Sequence, residues 1–205
     1  DALERVVLFG RPTIDQRRTA REAAIEIDEL AAEAELAITD AILEIESTPG
    51  YRENIALQLD RRRLADEERD RRIPFLRGVG AVLRAELATE SPAAQRELLQ
   101  VADETLGPLI DRLEGSVRRR AQVYHGLALA RLSLFEAAES AFRAAATDDG
   151  AEALDTFHAR MGGVINRIVQ RGLQAGLEAL DSIAPRYTAA DELFYRLIIA
   201  DHRFT

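Results

Sequence analysis

The chain runs to 205 residues, with a formal net charge of −9, 47% apolar and 31% charged residues, and no cysteine. The apolar share excludes a disordered chain and the acidic balance argues against a nucleic-acid partner. The missing thiols exclude disulfides, thiolate catalysis and cysteine-based metal sites.

Alanine, leucine, glutamate and arginine dominate and only 5% of residues are aromatic, which is the composition of helices packed on helices. All 27 basic residues are arginine. A GC-rich coding sequence accounts for that usage, although Arg also grips carboxylates bidentately where Lys cannot. The longest uncharged helical stretch, residues 121–130, falls far short of the roughly 20 residues a membrane span requires. No signal-peptide pattern is present and the first residue is Asp1, so the sequence reads as a piece of a longer protein, cytoplasmic or exported.

Residues 1–10 fit a short helix closed by Gly10, with Pro12 beyond it. Thr13 then opens a long helix, because Thr13 and Gln16 have capping-box spacing. Its apolar positions, Ile14, Ala20, Ala24, Ile27, Ala31, Ala34, Ile38, Ala41, Ile42 and Ile45, recur at three- and four-residue intervals and mark a buried face. Pro49 and Gly50 end it. A second helix over residues 52–71 turns Ile55, Leu59 and Leu64 back toward the first. Its far half alternates basic and acidic blocks suited to i,i+4 pairing. Arg61, Arg62 and Arg63 are followed at once by Asp66, Glu67 and Glu68, so a solvated, self-paired face explains them better than a basic patch. The two helices predict a coiled-coil-like hairpin arm, a first unit over residues 1–72.

A second unit over residues 73–205 has shorter helices. Pro74 suits the first turn of one that runs to Ala88. Ser91 caps another over residues 92–113, which Gly107-Pro108 can kink. Further helices follow over 115–132, 135–146, 151–170, 172–183 and 189–203, with a loop at Asp148-Asp149-Gly150 and a break at Pro185. No segment keeps a period of two for long enough to read as a strand. The expected fold class is all-α.

Within residues 124–146, YHGLALARLSLFEAAESAFRAAA, the positions Gly126, Leu129, Phe135, Ala138, Phe142 and Ala145 resemble the tetratricopeptide repeat (TPR). Gly126 and Ala138 fall where two antiparallel helices cross closely; Leu129, Phe135 and Phe142 fill the space between neighbouring hairpins. Phe75, Gly80, Leu83, Ala94 and Leu98 resemble a degenerate repeat before it, and Gly162, Ile165, Gly176 and Leu180 another after it. The resemblance implies a TPR-like α-solenoid of antiparallel helix pairs, preceded here by the long N-terminal helical hairpin. In such a stack the first helices of successive pairs line a concave face. That face would carry Arg120, Val123, Leu127 and Arg131 from one helix, Arg77, Ala81 and Arg84 from another, and Ala159, Asn166 and Arg167 from a third. A locally basic groove in an acidic protein would draw in a partner's carboxylates.

Chemistry of other kinds finds little support. The histidines are His125, His158 and His202. Asp155 and His158 share a helix face, but no Glu-x-x-His occurs, and a di-metal carboxylate bundle needs two. No metal and no cofactor are expected. The ladder Glu22, Glu26, Glu29, Glu33, near Arg17, Arg18 and Arg21, reads as a charged outer face. Gly78-Val79-Gly80 has no strand before it and so no value as a phosphate loop, and Gly172 with Gly176 reads as a small-x3-small helix contact. The expectation is therefore a non-enzymatic protein–protein interaction module, with a protein or acidic peptide in a concave basic groove. The alternative is a structural or assembly protein that self-associates or bridges through its long hairpin. The oligomeric state stays open.

Overall fold

The computed structural model describes residues 7–8, 12–87, 91–147 and 153–183. The expected loop at 148–150 and the helix over 189–203 lie outside the described residues. Every regular element among those described is helical, so the chain is all-α.

Helix α1, Ile14–Ser47, spans 34 residues. Its start is the capping box read from the sequence: the Thr13 hydroxyl accepts from Gln16 N–H at 3.2 Å, and the Gln16 side chain accepts from Thr13 N–H at 2.8 Å. Ala20, Ala24, Ala31 and Ile42 are buried, with Ile27, Ala34, Ile38, Ala41 and Ile45 half-buried between them. The seam expected for α1 is therefore present except at its first member. Ile14 is 85% exposed, because it is the first residue of the helix and hence at its free end.

The chain turns through Gly50, whose φ of 79° suits a residue without a Cβ. Asn54 then caps α2, Ile55–Arg62, accepting from the N–H groups of Ala56 and Leu57. Ile55 and Leu59 do not face back as expected: they are 73% and 59% exposed. α2 buries no residue, and the first buried residue of this arm is Ala65, in the segment beyond.

That segment, Arg63–Arg72, winds in wide π-helical turns and leads without a loop into α3, Ile73–Leu87. Pro74 thus lies inside continuous helical backbone, and the boundary expected between residues 72 and 73 falls there too. Pro74 has no N–H, and its ring crowds the carbonyl four residues earlier, so regular α turns cannot run straight through it. Wider turns just before it relieve that crowding, and Ile73 N–H reaches back five residues to the Glu68 carbonyl. The hairpin arm facing α1 therefore reaches Leu87, well past its expected end.

Next come α4, Pro92–Leu109, capped by Ser91 and tightening into a 3₁₀ turn at Ile110–Arg112, and α5, Gly115–Arg131. They are followed by α6, Phe135–Ala146, α7, Ala153–Arg171, and α8, Leu173–Ile183. Gly172, with φ 87°, makes the α7–α8 turn instead of joining a helix contact; Gly176 alone packs closely, against Ile168.

From α3 onward each helix packs on the next, and α3 also touches α5, as α5 touches α7. One core runs through these helices, including Val82, Leu106, Val123, Phe142 and Met161. Leu83 packs on both this core and the smaller Val7, Ala20, Ala24 and Leu87 cluster beneath α1, which ties the long arm to the rest.

Candidate interaction surfaces

Four of the five arginines expected to line a groove are engaged by the protein's own acids. On α3, Arg77 binds Glu35 and Arg84 binds Asp28, both pairs at 2.7 Å. Glu35 and Asp28 stand on α1, so the long helix lies along the side of α3 from which these guanidinium groups project. Nearer the hairpin tip Arg61 binds Glu46 at 2.9 Å.

Arg131 grips Glu86 of α3 with two bonds, from Nε at 2.6 Å and from Nη2 at 2.9 Å. The Glu86 side chain is only 8% exposed. This carboxylate raises the Arg131 guanidinium above its already high ordinary value, so the guanidinium keeps its charge. Arg167 donates to Glu139 Oε1 at 2.6 Å, and Arg143 approaches the same oxygen at 3.6 Å.

Arg120 is half-buried. Val123 and Leu127 are 2% and 5% exposed and belong to the core, as do Ala81 and Ala159. Asn166 is fully buried; its Nδ2 donates to the Phe135 carbonyl at 3.0 Å, which fixes α7 against the start of α6. Its Oδ1 has no hydrogen-bond partner among the described residues. Arg119, next to Arg120 on α5 and equally polar, is 4% exposed. The physical reason is that α5 packs on α3, α4, α6 and α7 at once. A helix enclosed on most sides has no single polar face from which a phase can be read.

The histidines are placed by packing. His125 meets Asp103 of α4 at 2.6 Å, in space left by Gly107, whose missing Cβ would stand 3.4 Å from the imidazole. His158 is buried, and the Asp155 side chain lies outside the described part. Among the described residues no group of three potential ligands converges as a metal site would require, and no helix is long and apolar enough to cross a membrane.

Two surfaces were not anticipated. A cleft of about 250 Å³ opens between α6, α7 and α8, floored by Phe142 and Val164 and edged by Glu139, Arg143, Arg160 and Arg167. The second is the outer side of α1. Ile25, Leu36 and Leu43 are all exposed there, and the neighbouring acids Glu22, Glu29, Glu33 and Asp40 hold no basic side chain among the described residues. Its signal was present as a second apolar periodicity in α1, hidden behind the stronger alanine and isoleucine seam.

No protein-family model, no curated protein and no solved structure matches the chain.

Proposed function

We propose that this chain is a non-enzymatic protein–protein interaction module, in which TPR-like helix pairs form a rigid base for the long N-terminal hairpin. The observation that carries the repeat reading is the seat of Phe142. A Cβ on Gly126 of α5 would come within 2.7 Å of its ring, and one on Gly162 of α7 would collide with the same ring. One aromatic on the second helix of a pair thus fills gaps left by glycines on the first helices of two successive pairs. The contacts of α3 with α5 and of α5 with α7 support the same stacking.

Within that function, the ion pairs favour the hairpin over the groove as the working surface. An acidic peptide reaching for Arg77, Arg84, Arg131 or Arg167 must displace Glu35, Asp28, Glu86 or Glu139. Each of these is already bonded at 2.6–2.7 Å. Among the described residues the outer side of α1 has no such internal competitor, which favours the bridging form of the assembly reading.

A peptide-display selection against the whole chain tests the proposal. Ligands enriched over those of an unrelated helical protein are expected; a selection that enriches none overturns it. Charge reversal at Arg77 and Arg167 then separates the surfaces, since groove ligands are lost and hairpin ligands are kept.

A further inference from the structure

The geometry points to one partner class for the hairpin: we infer that the outer face of α1 docks a basic amphipathic helix of another protein. The inference rests on the interaction-module reading and deepens it.

α1 is amphipathic in two directions. Its inner seam is occupied by α3 and the wide-turn segment. On roughly the opposite side, Ile25, Ala32, Leu36 and Leu43 follow one another at intervals of seven, four and seven residues, which places them on one stripe of a helix. Ile25 is 40% exposed, Leu36 70% and Leu43 58%. From Ile25 to Leu43 the stripe extends roughly 27 Å at 1.5 Å per residue, the length of about five turns of a partner helix. Apolar anchors at this spacing are what a helix-on-helix contact uses.

Charge selects among the helices that would fit. Between Glu22 and Ser47, α1 contains acids and no basic residue at all. Glu29, Glu33 and Asp40 border one edge of the stripe, all exposed and none bonded to a basic group among the described residues. Beyond Glu22, the acids of α1 that hold arginines, Asp28, Glu35 and Glu46, reach toward the second arm. A second copy of this chain would set acid against acid along the contact, and like charges brought together at an interface repel. A helix with a Leu or Ile seam bordered by Arg or Lys satisfies both features of the face. The acids would speed its approach and set its orientation, while the three large apolar residues would hold it.

Fluorescence anisotropy with the full chain and three labelled peptides of about 21 residues tests this. One peptide carries a leucine seam with arginine flanks, the second has the same residues scrambled, and the third has glutamate flanks. Saturable binding of the first alone is expected, weakening as salt rises. Leu36→Ser with Leu43→Ser should weaken it about tenfold. The melting temperature should hold, since both side chains are exposed. Equal binding of the scrambled peptide, no binding of the arginine-flanked one, or indifference to the double variant would each overturn the inference. So would sedimentation showing a dimer that the double variant abolishes, because the occupant would then be a second copy. None of these variants touches the groove arginines, so the surface can fail here while the interaction-module reading stands; that reading falls only to its own display test.

Discussion

Phe142 and Gly126 are matched across the α5–α6 turn: the ring lies where any side chain at residue 126 would begin. Phe142 is 2% exposed. Truncation to Phe142→Ala removes the ring from between α5 and α7 and should cost about 3–5 kcal/mol, a large part of a domain's stability. Thermal or denaturant melting measures it. A midpoint within a degree of the parent would contradict the packing described.

Adjacent glycines on α7 give a sharper test. A Cβ on Gly162 collides with the Phe142 ring, whereas one on Gly163 meets only Phe142 Cβ, at an ordinary 3.9 Å. Gly162→Ala should therefore destabilise by about 1–3 kcal/mol through overpacking. Gly163→Ala should be neutral, or stabilise by up to about 1 kcal/mol, because alanine favours helix over glycine. Similar melting of the two variants would mean that the phase of α7 is wrong.

Arg131 and Glu86 join α5 to α3, with the carboxylate largely shielded from water. Arg131→Ala leaves that carboxylate without its two bonds and should cost about 1.5–3 kcal/mol, the range for hydrogen bonds to a charged group. The exposed Arg18–Asp15 pair, 68% and 83% open to solvent, provides the contrast. A double-mutant cycle there should return no more than about 0.5 kcal/mol. Equal coupling in that cycle and in one at Arg131 and Glu86 would rule out a special role for the shielded carboxylate.

Acid should weaken the wide-turn segment. The Arg69 Nε donates to Asp70 at 2.8 Å, and this bond, with the nearby guanidinium charges, holds the Asp70 carboxyl below its ordinary value. The unfolded chain therefore takes up this proton first as pH falls. The stabilisation is complete above the ordinary carboxylate range, near about pH 4, and is lost as pH drops through the lower folded value. Asp70→Asn should flatten the acid limb of melting temperature against pH below about pH 4 and leave the neutral region nearly level. The change should be small, since a third of the side chain is exposed. A steeper acid limb in the variant would reverse the assigned sign.

Much of this chain is written locally. The Thr13–Gln16 box, the Ser91 cap, the α1 seam and the bounds of α6 each depend on a few neighbouring residues, and each was legible. Gly126, Ala138 and Phe142 were legible as well, because close helix crossing requires small residues opposite a large one. In the preceding pair the sequence suggested Gly80 as the close-packed glycine. The close contact with Leu106 of α4 falls instead to Gly78, while Gly80 faces Ile27 and Ala24 of α1. Either glycine suits a local pattern, and only the position of α1 separates them.

The tertiary structure decided the rest. Pro74 reads as a helix start within any short window, yet it lies inside a helix because the turns before it widen while α1 holds that arm in place. Arg119 and Arg120 are equivalent in sequence, and the helices packed around α5 bury the first. Whether the guanidinium groups of Arg77, Arg84, Arg131 and Arg167 face a partner or an internal carboxylate depends on which helix lies across from each. Local propensity and periodicity set helix bounds over a few ångströms of chain. The pairing of charges between residues far apart in sequence is set by how whole helices lie against one another.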